Sequence, residues 1–253
     1  MTKVDDCTIQ RLNALNCAFY QTFSESFSLT RAAVQPGVKK ALAKFSPKRT
    51  ILDVGCGNGN LMLVLEESKF AGYYGGIDFS ENLVQASQGT FQKLKGQVSF
   101  QAEFAIFDLI NSNWHAFPFQ REWDVICSFA VFHHIAGQKM RMSIFQNIHD
   151  LLNPESLFIF SIWQPQNSWR LRERFVEWNI VDIDEDSVEK GDVLLDWKAE
   201  KIPQQRIGYR YVHIFDQNEL EYLADKTDFT ILESFYSDGK EGNVALYQIW
   251  KKR

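Results

Sequence analysis

Three glycines at alternate positions follow a short apolar run near the start of the chain. The run Ile51–Val54 suits a buried strand, and Gly55, Gly57 and Gly59 come directly after it, ahead of a helix-compatible stretch. A glycine turn between a strand and a helix lets a ligand approach backbone N–H groups at the helix start. Asp78 ends a second apolar run, about twenty residues further on, where a carboxylate would meet a nucleoside ribose. Together these features predict a nucleoside cofactor.

Asp53 bears on which nucleoside the turn would bind. The spacing is G-x-G-x-G rather than the G-x-G-x-x-G of dinucleotide enzymes, and Asp53 stands two residues before Gly55. A carboxylate there would repel a pyrophosphate and attract a cationic group. The pattern D-V-G-C-G-N-G resembles motif I of the class I S-adenosylmethionine (SAM) methyltransferases, and SAM carries an ammonium and a sulfonium. The alternatives are a glycine turn without a ligand and a nicotinamide enzyme.

The resemblance implies further contacts to SAM. Asp78 would accept both ribose hydroxyls, Phe79 would lie against the adenine, and Asp53 would bind the ammonium. Asp108 follows the third predicted strand, where an acid often meets the adenine amino group. Helix capping by Asp78, a surface Asp108 and a core Phe79 are the alternatives. The residues predicted to contact the cofactor are Asp53, Gly55, Cys56, Gly57, Gly59, Asp78, Phe79, Asp108, Ser128 and Phe129.

Alternating strand and helix patterns predict an α/β fold with a doubly wound, mostly parallel sheet of seven strands. This Rossmann-like sheet would end in an antiparallel last strand, because two closing strands follow each other across a glycine-containing link. The predicted strands are 49–55, 72–78, 97–104, 123–129, 156–163, 229–236 and 243–250. The predicted helices are 8–20, 35–45, 59–68, 81–95, 138–152 and one that Asp216 caps.

The whole chain of 253 residues is expected to form one methyltransferase domain. Its parts would be an N-terminal helical extension (1–48), a SAM-binding core (49–163), an insertion (164–208) and the C-terminal part of the sheet (209–253). The insertion holds a helix-like stretch at 168–179. It would lie at the carboxyl ends of the strands, where substrates sit in open α/β sheets.

A more specific resemblance comes from strand four and the segments that flank the core. The run Ser128-Phe129-Ala130-Val131-Phe132-His133-His134, followed by Arg141, resembles the tRNA wobble-uridine (5-carboxymethyluridine) methyltransferases. Those enzymes esterify a carboxymethyl group on the wobble uridine. Similar stretches occur at 27–31, 191–198 and 210–215, so the resemblance spans roughly residues 14–250. It implies that tRNA is the partner.

The chain departs from that family at two places. The family usually has Pro-Trp-Pro shortly after the position of Arg31, and it has proline where this chain has Asp196. Asp196 would put an anion near an anionic substrate. A small-molecule methyltransferase acting on a metabolite carboxylate, hydroxyl or amine is therefore the alternative. A SAM-binding subunit without activity is disfavoured, because all the cofactor positions are kept.

A carboxylate acceptor would need no general base, because its unperturbed pKa lies near 4. It would need partners that pair with it and pack around it, as arginine does bidentately. An amine or hydroxyl acceptor would need a base, and His133 is the nearest candidate. The alternative for each residue is an ordinary salt bridge or packing contact. The candidates for positioning the acceptor are Arg31, His133, Trp163, Lys198, Arg210 and His213.

Composition limits the other function classes. The net charge of −5 argues against a general nucleic-acid binder, but residues 1–50 carry +5 and the rest −10. That basic segment would suit phosphate contacts or be an ordinary solvated helix face. The four cysteines fit no zinc spacing, so no metal is expected, and they indicate reduced thiols in the cytoplasm. No apolar stretch reaches membrane-spanning length, and the N-terminus lacks a signal-peptide core.

One further partner follows from the resemblance alone. Eukaryotic relatives work with a small zinc-binding activator subunit that pairs with the edge of the sheet. The apolar segment 100–107 is expected to form that edge here.

Overall fold

The computed structural model describes residues 4–30, 33–43, 49–198 and 207–253, without the side chains of 24–30 and 198. The helices are α1 (Asp6–Thr30), α2 (Pro36–Leu42), α3 (Leu61–Glu67), α4 (Glu81–Leu94), α5 (Gln138–Leu151), α6 (Trp169–Arg172) and α7 (Gln217–Lys226). The strands are β1 (Thr50–Val54), β2 (Tyr73–Asp78), β3 (Gln101–Ile106), β4 (Trp123–Phe129), β5 (Leu152–Trp163), β6 (Phe175–Val176), β7 (Asp192–Lys198), β8 (Ile207–His213), β9 (Phe229–Ser237) and β10 (Ala245–Lys252).

Seven strands form the main sheet in the order β3-β2-β1-β4-β5-β10-β9. Strands β1 to β5 pair in parallel, and β10 runs antiparallel to both β5 and β9. The predicted doubly wound α/β sheet with an antiparallel last strand is therefore confirmed. The strand order reverses between β1 and β4. In open α/β sheets a ligand crevice lies beyond the carboxyl ends of the strands at that point.

Helices cover both faces of the main sheet, so its central strands are apolar on both sides. All six residues of β2 are buried, and so are the last four of β1. One core cluster lies around Trp123, Phe158 and Trp250, and the other around Tyr74 and Tyr247. This double burial holds the carboxyl ends of β1, β2 and β4 in fixed positions.

Three predicted element boundaries were wrong for physical reasons. Strand three begins at Gln101 rather than 97, because the N–H groups of Gln97 and Val98 still bond to the last turn of α4. Only Trp169–Arg172 is helical in the stretch 168–179, and β6 follows it. The first N-terminal helix is longer than predicted, since α1 extends to Thr30.

Strand β8 lies outside the main sheet, although the sequence placed residues from 209 onwards in it. It forms a three-stranded sheet with β6 and β7 and pairs with β7 along its whole length, from Ile207 to His213. This small sheet packs on α1 through an apolar cluster that includes Leu12, Leu194 and Tyr211. The insertion therefore contributes a wall that stands against the N-terminal helix.

The segment expected at the edge of the main sheet is there. Strand β3 is the terminal strand, and Ile106 at its end is 55% exposed. Within the ranges described above, no helix combines the length and apolar character needed to cross a bilayer.

Candidate cofactor and acceptor site

A cavity of about 1030 Å³ opens at the carboxyl ends of β1, β2 and β4. Helix α1 forms one of its walls, and the turns after β1, β2 and β4 form others. This is the switch point that the strand order indicates. The cavity is lined by many of the residues predicted to contact the cofactor, namely Asp53, Gly55, Cys56, Gly57, Asp78, Phe79, Asp108 and Phe129.

The glycine turn needs glycine for two different reasons. Gly55, Gly57 and Gly59 have φ angles of 76°, 56° and 80°, a region that L side chains rarely adopt. A Cβ on Gly55 would also fall 2.3 Å from a methyl group of Val131. A Cβ on Gly57 would meet no atom within 4 Å, so this position leaves the cavity side of the turn open. The N–H group of Gly55 bonds to the carbonyl of Ile77, which fixes the turn against β2.

Asp78 is held by backbone N–H groups on both of its oxygens. Oδ2 accepts from Gly57 at 3.0 Å and Oδ1 accepts from Ser80 at 2.9 Å. The side chain is 6% exposed. Burial raises the pKa of Asp78, and the N–H groups of Ser80 and Gly57 counteract part of that rise. Asp78 therefore has a fixed orientation on the cavity wall and ties the glycine turn to the end of β2.

Asp53 is a buried carboxyl group facing the same cavity. Tyr74 donates its hydroxyl to Oδ2 at 2.7 Å, and the side chain is only 3% exposed. Burial raises the pKa of Asp53 to about 7; the Tyr74 hydrogen bond opposes this rise and the charge of Asp78 adds to it. A cation bound beside Asp53 would favour its ionised form. A positively charged ligand therefore suits this position.

The other predicted cofactor residues divide into two groups. Asp108 and Phe79 line the cavity, although Asp108 also accepts the backbone N–H groups of Ile110 and Asn111. Ser128 is fully buried and donates its hydroxyl to the carbonyl of Val54, so it joins β4 to β1 rather than facing the cavity. Gly59 shapes the turn below the cavity wall, close to Met62 and Ser87.

The two adjacent histidines have different roles, and His134 is the one on the cavity wall. His133 is 1% exposed, and its Nδ1 accepts the backbone N–H of Trp163 at 3.1 Å. That bond requires a lone pair on Nδ1, so His133 carries its proton on Nε2. His133 therefore positions Trp163, which itself lines the cavity.

Arg210 stands next to Trp163 within an aromatic cluster. Its guanidinium lies 4.6 Å from the ring centre of Trp163 and 5.3 Å from that of Trp197, and the side chain is buried. Such stacking is typical of cation–π contacts. Arg31 lies outside the described residues, and so does the side chain of Lys198.

His213 belongs to a buried ion cluster, defined here as Arg141, Glu189, Asp192, His213 and Glu219. Arg141 donates to Glu189 at 2.7 Å and to Glu219 at 2.8 Å. The two ring nitrogens of His213 lie 2.6 Å from Asp192 and 2.7 Å from Glu219.

The charge state of His213 follows from these partners. Burial and the charge of Arg141 lower the pKa of His213, but the hydrogen bonds to Asp192 and Glu219 outweigh them and raise it overall. The cluster joins α5, the insertion and α7. The structure therefore places His213 in this fastening and away from the cavity wall.

Asp196, the departure from the family pattern, forms an ion pair. Its Oδ1 lies 3.0 Å from Nε of Arg174, and its side chain is 13% exposed. Arg174 also stacks over Trp197. The negative charge that the sequence placed near an anionic substrate thus has a positive partner within the insertion.

Helix α1 supplies site residues whose roles sequence reasoning missed. Tyr20 lines the cavity, and its hydroxyl lies 2.6 Å from Nε2 of His134. Asn16, one turn earlier, donates to the carbonyls of His134 and Tyr211 and accepts the N–H of Tyr211. The one available signal was Phe19-Tyr20 within the family resemblance, because no local spacing links position 20 to position 134.

A family model described as "Methyltransferase domain" matches residues 28–234. Among curated proteins, the chain is 29% identical over 145 residues to an Arabidopsis thaliana tRNA (carboxymethyluridine(34)-5-O)-methyltransferase. That match covers 57% of this chain and 31% of the relative, so the chain spans about a third of that relative's length. The Schizosaccharomyces pombe protein of the same name is 25% identical over 86% of this chain and 89% of its own. A Leptospira interrogans demethylmenaquinone methyltransferase is 26% identical over 90% and 86%.

Solved structures show the same fold at low sequence identity. A Clostridium acetobutylicum S-adenosylmethionine-dependent methyltransferase superposes with a TM-score of 0.65 at 16% identity, covering 94% of this chain and 99% of that one. Magnesium protoporphyrin IX methyltransferase from Synechocystis, crystallised with bound SAH, gives 0.61 at 15% identity, covering 98% and 100%. The chain therefore has the fold of SAM-dependent methyltransferases and, by the match over residues 28–234, belongs to the methyltransferase domain family.

Proposed function

We propose that the protein transfers the methyl group of SAM to the carboxymethyl group of a tRNA wobble uridine, forming a methyl ester. One observation carries the proposal: a single cavity joins the acids and glycine turn of a donor site to a wall made by α1, His134 and Trp163. The family supports methyl transfer. Similarity to the S. pombe tRNA methyltransferase over 89% of its length supports the choice of acceptor.

The residues on the donor side fit SAM. The open cavity face at Gly57 and the adjacent Asp78 suit a ribose, and buried Asp53 suits the ammonium. Phe79 would pack against the adenine, and Asp108 would approach the adenine amino group. When bound, SAM supplies an electrophilic methyl group on a positively charged sulfur.

A carboxylate acceptor needs orientation and a dry site more than it needs proton transfer. The C–S bond breaks with its electron pair staying on sulfur, and a carboxylate lone pair forms the new O–C bond, so no proton is released. The walls contributed by α1, Trp163 and the β4 turn can align the carboxylate and exclude water. These are the contributions that this chain can make.

Aromatic and basic side chains near the cavity suit an RNA. Trp169 is 54% exposed on α6, with the guanidinium of Arg170 stacked 5.5 Å from its ring centre. Leu171 of the same helix lines the cavity. Aromatic rings and guanidinium planes of this kind stack on unpaired bases of RNA loops. We place the anticodon at this mouth of the cavity.

A small-molecule acceptor is the second candidate. The Leptospira relative is named a demethylmenaquinone methyltransferase and aligns over 86% of its length. Several apolar side chains line the cavity, among them Ile9, Leu61, Leu109 and Val244. An apolar acceptor with a hydroxyl group would fit such a wall.

Mass spectrometry of tRNA nucleosides tests the proposal. Cells lacking the protein should lose the methyl ester from their anticodon nucleosides, and the purified protein with labelled SAM should restore it on their tRNA. An unaltered nucleoside profile together with methylation of an apolar hydroxyl compound would favour the second candidate.

A partner subunit belongs to the same proposal. The exposed β3 edge would pair with a strand of a small activator. Copurification of a small protein whose binding depends on that edge would support it, and full tRNA activity of the purified chain alone would count against it.

A further inference from the structure

Tyr20 and His134 meet on the cavity wall from distant parts of the chain. Tyr20 comes from α1 and His134 from the 3₁₀ turn after β4 (Phe132–His134). The Tyr20 hydroxyl lies 2.6 Å from Nε2 of His134, and both side chains line the cavity that Asp53 and Asp78 face. Neither residue is needed for the cofactor contacts described above. The pair is therefore available to the methyl acceptor.

The second nitrogen of His134 determines the direction of this hydrogen bond. Nδ1 lies 3.1 Å from the main-chain carbonyl of Tyr211, which can only accept, so Nδ1 carries a proton. When the ring is neutral, Nε2 has a lone pair and Tyr20 donates to it. The oxygen of Tyr20 then presents only lone pairs to the cavity. When Nε2 is also protonated, it donates to the Tyr20 oxygen, and the O–H bond of Tyr20 is released to point into the cavity.

We propose that the Tyr20 hydroxyl contacts the acceptor carboxylate directly, and that doubly protonated His134 turns this hydroxyl towards it. The acceptor is the one named under the proposed function, on which this inference rests. A carboxylate only accepts hydrogen bonds, so it would be repelled by the lone pairs that the neutral pair presents. A proton on His134 reverses the hydrogen bond and adds a positive charge behind it. Tyr20 is the contacting group and His134 is a positioning residue.

Packing fixes the hydroxyl in place before the acceptor arrives. The ring of Tyr20 makes edge-to-face contacts with Phe19, Phe79 and His134, at centroid distances of 5.2, 6.4 and 5.2 Å. Asn16 holds the carbonyl of His134 from the preceding turn of α1. The acceptor would therefore meet a hydroxyl whose position is already set, which limits the entropic cost of binding it.

The surroundings of His134 favour a positive charge. Three carboxyl groups line the same cavity, and an imidazole titrates close to neutral pH in general. The titratable and charged groups that surround the pair, on the cavity wall and on the packed elements, are Asp53, Asp78, Asp108, Cys17, His133 and Tyr211.

Steady-state kinetics of Tyr20→Phe and His134→Gln test the inference. The acceptor is tRNA from cells lacking the protein, and SAM is saturating so that the titration of Asp53 does not enter. We expect kcat/KM of the wild type for tRNA to fall as the pH rises from 6 to 9. Tyr20→Phe should lower kcat/KM by about ten- to a hundredfold at pH 6.5, as expected for one hydrogen bond to a charged group. Both variants should flatten the pH profile.

Two controls separate function from folding. The Kd of SAM by calorimetry should stay within about twofold of the wild type for Tyr20→Phe, because the ring and its packing remain. Tyr222→Phe, which removes an exposed hydroxyl on α7, should match the wild type in both measurements.

Three results would overturn the inference. Wild-type kinetics in Tyr20→Phe, with tRNA still methylated, would sink it and leave the proposed function standing. A wild-type kcat/KM that rises with pH would show that the neutral pair is the working form. A wild-type protein that methylates no tRNA would remove the proposed function, and this inference with it.

Discussion

The donor side and the acceptor side of the cavity are built in different ways. The donor side comes from one stretch of chain, Asp53 to Phe79, whose two strands are neighbours in the sheet. The acceptor side brings together Tyr20, His134 and Trp163 from three separate elements. Backbone hydrogen bonds fix the donor side, whereas the acceptor side depends on α1 and the small sheet. The difference predicts that damage to the long-range contacts will affect acceptor binding and leave cofactor binding intact.

Removing Arg141 should have the largest effect on stability. Arg141→Met leaves Glu189 and Glu219 buried without their partner, which typically costs about 3–5 kcal/mol. Urea denaturation would measure the loss in the free energy of unfolding. The variant that remains folded should bind SAM with a Kd within about threefold of the wild type while its KM for the acceptor rises.

An exposed ion pair provides the matched control for Arg141. Lys39→Met breaks the pair with Glu67, in which both side chains are about half exposed, and should change stability by less than about 1 kcal/mol. A change of similar size in both variants would show that the buried ion cluster does not fasten the acceptor side.

Asp78→Ala should abolish cofactor binding on the donor side. Two ribose hydroxyls would lose a charged acceptor, and each such hydrogen bond contributes roughly 1.5–3 kcal/mol. We therefore expect the Kd of SAM to rise by at least about a hundredfold in calorimetry. Asp225→Ala, on the exposed surface of α7, is the control and should leave the Kd unchanged. Unchanged affinity in Asp78→Ala would remove the ribose assignment.

Cofactor binding should depend on pH through Asp53. Only the ionised carboxylate attracts the ammonium, so SAM affinity should fall about tenfold for each pH unit below 7 and level off above it. Asp53→Asn should remove this slope. Tyr74→Phe should move the midpoint to higher pH, because its hydroxyl now opposes the rise in the pKa of Asp53. Calorimetry between pH 5.5 and 8.5 would measure both, and a flat profile in the wild type would contradict the assignment.

The same group should act in the opposite direction on stability without cofactor. The pKa of Asp53 is about 7 in the folded protein against 3.8 for an unperturbed group, so the folded state binds the proton more tightly. Stability from this group is therefore complete below about pH 4 and falls as the pH rises to 7. Thermal unfolding of wild type and Asp53→Asn across this range would show whether the two curves diverge.

The sequence was sufficient for the donor side because its contacts are local. The glycine turn, Asp53 and Asp78 lie on neighbouring strands, and their spacing carries the geometry. The sequence could not decide between His133 and His134, since the 3₁₀ turn after β4 sets which ring faces the cavity. It also placed β8 in the main sheet, because an alternating apolar strand does not reveal which partner it pairs with.

Asp196 sharpens this comparison with the smallest expected effect. Its charge was read from the sequence as an obstacle to an anionic acceptor, but it pairs with Arg174 in the small sheet. Asp196→Asn should therefore cost about 1 kcal/mol or less, the range for a partly exposed pair, and leave the KM for tRNA within about twofold. Urea denaturation and initial rates would measure the two. A KM that falls severalfold would place the carboxylate of Asp196 beside the acceptor and restore the case for a diverged substrate.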